Sequence, residues 1–173
     1  GIRDDLVMEF RRVLFRSHAW LKSVVTSLDD QLKLADVTNN RFAIIGFGGL
    51  NIPNGHLDGH IHQEFNDALT TSAAFGTLVT EGGDEDGYSG IDAAFNLLTY
   101  RSDAAINVIL VTDEERSKNV VSGQNLNFNN ILAQFSTKNA LLNAVVNSGF
   151  LDSAANPALG FDAKGNAYTA DGL

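Results

Sequence analysis

The sequence predicts an α/β domain with a mostly parallel central sheet. Residues 41–47 (RFAIIGF) and 106–112 (INVILVT) are near-continuous apolar runs of strand length, the pattern of strands covered on both faces. The stretches around them repeat their apolar residues at helical spacing. Strands alternating with helices imply parallel pairing, with ligands bound beyond the carboxyl ends of the strands.

The elements come in order along the chain. Trp20, Leu21, Val24, Val25, Leu28, Leu32 and Leu34 mark one side of a helix, with Asp29, Asp30 and Lys33 on the other. Asn39-Asn40 is a turn pair that ends it, and the strand 41–47 closes on Gly48-Gly49. Residues 48–62 read as a Gly/Asn/His loop around Pro53, and 63–78 as a helix. An acidic loop, 81–88 (EGGDEDGY), leads into a helix over 89–100 with Ile91, Phe95 and Leu98 on one face. The strand 106–112 is the strongest in the chain and runs into Asp113-Glu114-Glu115. Residues 128–135 form an amphipathic helix, 140–146 a further strand, and 159–169 (LGFDAKGNAYT) a hairpin turning at Lys164-Gly165-Asn166.

Composition bounds the function. The chain has 173 residues, 44% apolar, enough to bury a core. Its net charge of −9 argues against nucleic acid or an anionic membrane surface as partner. No apolar run approaches the roughly eighteen residues of a membrane span. The absence of cysteine excludes a disulfide framework, a thiolate metal site and a catalytic thiol.

Residues 1–17 (GIRDDLVMEFRRVLFRS) differ in character from the rest of the chain. They hold Arg3, Arg11, Arg12 and Arg16 and the single methionine, Met8. Their opening is what GGC ATA CGA GAT encodes, and 9–17 is what GAG TTC AGA CGT GTG CTC TTC CGA TCT encodes; both resemble a short-read sequencing adapter. The expectation is a non-native segment over 1–17 ahead of a natural, metagenomic gene fragment over 18–173. The alternative is a genuine strand around Val13, Leu14 and Phe15.

Two acidic groups are candidate cation ligands: Asp84, Glu85 and Asp86, and Asp113 and Glu114. Carboxylate oxygens suit Mg²⁺, Mn²⁺ or Ca²⁺. The plainer alternative is a solvated loop in which Asp86 or Ser89 caps the next helix. His56, His60 and His62 with Asp58 could hold Zn²⁺, although the spacing matches no standard zinc motif. Nucleophile-elbow, dinucleotide and P-loop motifs are absent, and Gly46-Phe47-Gly48-Gly49 has the wrong count.

The order helix, RFAIIGFGG, helix, GGDEDGYSGIDAAFN, INVILVTDEE resembles a von Willebrand factor type A domain over about residues 18–150. It is most similar to bacterial exported examples. The resemblance implies a three-layer α/β/α, Rossmann-like fold and a non-enzymatic adhesion module at the cell surface or outside the cell. It also implies a metal-ion-dependent adhesion site holding Mg²⁺, Mn²⁺ or Ca²⁺, which an acidic side chain of a protein or matrix ligand completes. By the resemblance, that site takes an Asp-x-Ser-x-Ser motif after the first strand, a loop Thr at the position of Asp84, and Asp113, with Asp86 as a further ligand. The motif is missing, because adapter-like sequence stands before His18. The native first strand is therefore expected to be absent or replaced by residues 10–17, and no tight metal site is expected. Two rivals are a metal-dependent hydrolase using His56, His60, His62 and Asp113 to activate water, and a spacer domain of a surface protein.

Overall fold

The computed structural model describes residues 4–10, 16–47, 59–78, 86–112, 126–146, 160–161 and 167–168. Its centre is a five-stranded sheet in the order β3-β2-β1-β4-β5, formed by β1 (Asp4–Phe10), β2 (Arg41–Gly46), β3 (His60–Asn66), β4 (Ala105–Thr112) and β5 (Ala140–Val146). Every pairing is parallel except β2–β3. Helices α1 (Arg16–Leu34) and α2 (Ala68–Ala74) lie on one face. Helices α3 (Gly87–Leu97) and α4 (Phe128–Lys138) lie on the other. A two-stranded antiparallel pair joins β6 (Gly160–Phe161) and β7 (Ala167–Tyr168); the turn expected at Lys164-Gly165-Asn166 lies outside the described residues.

Alternation along the strands builds two cores. Leu6, Met8, Phe42, Ile44 and Val111 point to the α1/α2 face, where Leu21, Val25, Ala68 and Phe75 meet them. Val7, Ala43, Ile45, Ile106 and Val108 point the other way, against Ile91, Phe95, Ile131 and Phe135. Phe95 and Phe135 pack edge to face with ring centroids 4.8 Å apart.

The central slot is filled from the N-terminal segment, but not by the expected residues. Asp4–Phe10 form the strand, and Arg16 already begins α1. The expectation of residues 10–17 is corrected to 4–10, and Val13, Leu14 and Phe15 lie outside the described residues. The placement follows from Asp5, whose fully buried carboxylate needs cationic partners. Arg41 donates to it at 3.0 and 3.2 Å. Arg101 donates through its backbone N–H at 3.0 Å and its guanidinium at 2.7–3.0 Å.

A second correction concerns residues 63–78. They do not form one helix: 60–66 pair with β2, and a new helix starts after Asp67. Asp67 caps it, accepting from the Thr70 N–H at 2.9 Å and the Thr70 hydroxyl at 2.8 Å. At the α1–β2 turn, Asp36 and Asn39 take left-handed φ of 60° and 59°, consistent with the turn expected at Asn39-Asn40.

Replacing Asp5 with Ala should cost about 3–5 kcal/mol, because two guanidinium groups lose their buried counterion. Urea unfolding checks this, and a loss below about 1 kcal/mol would place the clamp outside the stability of the sheet. The Thr70 N–H and hydroxyl also hold the Asp67 carboxyl below its ordinary range. A depressed carboxylate stabilises above its unfolded pKa and loses that contribution as pH falls through its folded one. Asp67→Ala should therefore lower the melting temperature at neutral pH, with the gap to the parent chain closing in acid.

Candidate functional site

In this topology the carboxyl ends of β1, β2 and β4 lie together, and β3 runs back so that His60 starts level with Gly46. The N-terminus of α3 closes over the same rim: a Cβ on Gly87 would touch Leu110 at 3.4 Å and Phe47 at 3.9 Å. Helix N–H groups thus converge where a crevice ligand sits in open parallel sheets.

Asp86 is the one proposed acidic ligand among the described residues. It is buried and is the N-cap of α3: its Oδ1 accepts from the Tyr88 N–H at 3.0 Å. Its carbonyl accepts from the Ser89 N–H at 2.9 Å and the Ser89 hydroxyl at 2.8 Å. The capping role weighed from the sequence is what the structure shows. Asp84, Glu85, Asp113, Glu114 and His56 lie outside the described residues.

His60 and His62 belong to strand β3, not to a loop; that expectation is corrected. Their positions two apart put both on the α1/α2 face, whereas Ile61 packs into the core beneath α3. The His60 ring lies over Gly46, where an added Cβ would come within 2.5 Å of Cε1. The His62 Nε2 lies 3.1 Å from both the Ala74 carbonyl and the Thr77 hydroxyl. A carbonyl only accepts, so Nε2 carries the proton and has no lone pair for a metal in this arrangement. Among the described residues, no three His, Asp or Glu side chains gather where a metal could be held.

Gly59, within the stretch 48–62 expected to be a loop, is a close-packed position. A Cβ there would collide with the Ser89 carbonyl oxygen and reach within 2.8 Å of the Gly90 Cα. The signal in the sequence was only the pairing of a glycine next to a strand with Ser89-Gly90 at the start of a helix. The histidine–Thr77 contact had no local signal at all, because its partners come from separate elements.

The sheet and its flanking helices form an α/β fold like that of von Willebrand type A domains. Solved structures share it at low identity. Proximal thread matrix protein 1 from the mussel byssus superposes with a TM-score of 0.63 at 13% identity, over 84% of this chain and 38% of that one. A structure of the same protein with a zinc-occupied MIDAS motif gives 0.58 at 13% identity, over 84% of this chain and 36% of that one. The pilus adhesin SpaC from Lactobacillus rhamnosus GG gives 0.51 at 14% identity, over 67% of this chain and 16% of that one. The chain thus spans well under half the length of these proteins. Comparison with protein-family models finds no match, and no curated protein matches either.

Gly59→Ala should destabilise more than Gly46→Ala, because the first meets backbone of α3 and the second an imidazole that can turn. The expected losses are of order 3 and 1 kcal/mol in chemical unfolding. The reverse order would contradict this packing of the rim.

Proposed function

We propose that this chain is a non-enzymatic binding module of the von Willebrand type A kind, from an exported adhesion or matrix protein. The observation that carries the proposal is the rim: α3 meets the carboxyl ends of the central strands in a fold shared with a byssal matrix protein and a pilus adhesin. Among the described residues, no helix is long and apolar enough to cross a membrane.

In a parent chain carrying the full motif, the module would take a divalent cation and bind an acidic side chain of a protein or matrix ligand through it. The described residues do not fit that ion by themselves. Asp86 caps α3 through Oδ1, and the sequence directly after β1, residues 11–15 (RRVLF), contains neither Asp nor Ser. Arg11 and Arg12 bring two positive charges into the segment where cation ligands would be needed, which opposes binding electrostatically. Asp84 and Asp113 are the acidic positions we assign to the site, with Glu85 and Glu114 beside them. We read residues 1–17 as standing in place of a native segment, so that the fold is kept and the ligand set is incomplete.

Calorimetry with MgCl₂ and MnCl₂ tests this. The chain as it stands should show no saturable binding tighter than about 1 mM. The variant Arg11→Asp/Val13→Ser/Phe15→Ser should bind at least about tenfold more tightly, and adding Asp113→Ala should remove the gain. Equal affinities in the two chains would overturn the assignment.

A further inference from the structure

The two edges of the sheet are finished differently. At the β3 edge, pairing with β2 is interrupted by two register shifts, and the strand carries His60, His62 and Glu64. Irregular register and polar side chains keep an edge from recruiting another strand. The β5 edge has neither device. It pairs with β4 in unbroken register from Ile106↔Ala140 to Thr112↔Val146, and its sequence, ALLNAVV, holds no charge, proline or glycine.

Beyond Ala140, which packs against the α3/α4 core, β5 keeps exposed apolar side chains on both faces. Leu141 is 66% and Val145 42% exposed on the α1 side of the sheet, because α1 packs over β1, β2 and β4. On the other side Leu142 is 46% exposed, and Leu132 of α4 is exposed as well. Charge separates this flank from the rest. The sequence contains 21 Asp and Glu, yet α4 and β5 hold none and carry a single charge, Lys138. Two copies of a chain with net charge −9 repel over most approaches; along this flank they meet without opposed carboxylates.

We propose that the β5 edge is a self-association surface, on which a second copy of this chain pairs its own β5 antiparallel about a two-fold axis at Asn143. That register sets Leu141 against the partner's Val145 and Leu142 against the partner's Ala144. All of these pairs are apolar, and the central Asn143 meets the partner's Asn143 through its amide. The interface is isologous and closed, so it yields a dimer with one continuous sheet and not a filament.

The chain has no cysteine, so one introduced thiol reports the register without background. Directly opposed residues in an antiparallel pair lie about 4.5–5.5 Å apart at Cα, within disulfide range. Asn143→Cys should form a disulfide-linked dimer under mild oxidation, and Leu34→Cys, at a 79% exposed site on α1, should not. In sedimentation, the parent chain should rise with concentration toward twice 18.6 kDa. Leu141→Lys/Val145→Lys should keep its circular dichroism spectrum and lose at least tenfold in dimer affinity. A parent chain that stays monomeric throughout, a dimer unaffected by the two lysines, or equal cross-linking of the two cysteine variants would each overturn the proposal. Should the double-lysine variant fail to fold, the cysteine pair still decides.

Discussion

The sheet is organised around one buried carboxylate. Asp5 has no exposure to solvent, and an ion so placed is tolerated only when cations and hydrogen bonds replace its water. Arg41 supplies them from the first residue of β2, and Arg101 from the segment that enters β4. Three strands that share no hairpin are thereby tied at one level, with Asp5 opposite Arg41 on one side and Ile106 on the other. Parallel strands need such a device, because no tight turn sets their register. A slip of one residue would send Asp5 to the α1 face and Leu6 to the arginines. Each arginine is held in turn: Arg101 donates to the Asn39 carbonyl at 2.8 Å, and the Arg41 guanidinium lies 4.8 Å from the centre of the Phe65 ring.

The clamp sits at the amino ends of the parallel strands, opposite the rim at their carboxyl ends. What holds the opposite rim is close approach. Gly59 lets β3 enter against the first turn of α3, Gly46 makes room for the His60 ring, and Gly87 lies over Leu110. Asp86 closes the helix end with its own side chain. Among the described residues, the rim is held by these close contacts and the Asp86 cap.

Much of this was legible in the sequence, for reasons that particular residues show. The runs 41–47 and 106–112 announced β2 and β4 because strands covered on both faces must be apolar throughout. The α1 periodicity and the Asp86 cap were equally local signals. Strand β3 escapes a sequence reading because it lies at an edge: only Ile61 and Phe65 of its residues pack into a core, so its alternation is weak beside the helical pattern after Asp67. For the central strand, Val13-Leu14-Phe15 is the more apolar stretch and draws the eye. The deciding residue is Asp5, whose partners stand 36 and 96 positions away. No window on the sequence contains that pairing. The acidic candidates were legible as residue types, but their geometry depends on loops that local spacing does not fix.

A strand slot and a ligand set make different demands on sequence. The slot beside β2 and β4 asks for apolar side chains on both faces, which Leu6, Val7 and Met8 meet, and for one counterion to the arginines. Many heptapeptides satisfy such a pattern, since cores tolerate hydrophobic exchange when volume and patterning are kept. A divalent-cation site asks for particular oxygens at particular positions, and residue type does not substitute for them. Information for the fold is therefore spread over many residues in two cores, whereas a divalent-cation site, in a chain that carries one, rests on a few positions. A strand of suitable pattern can therefore complete a sheet without supplying any ligand. The fold rests on pattern and volume, with Asp5 as its most exacting position.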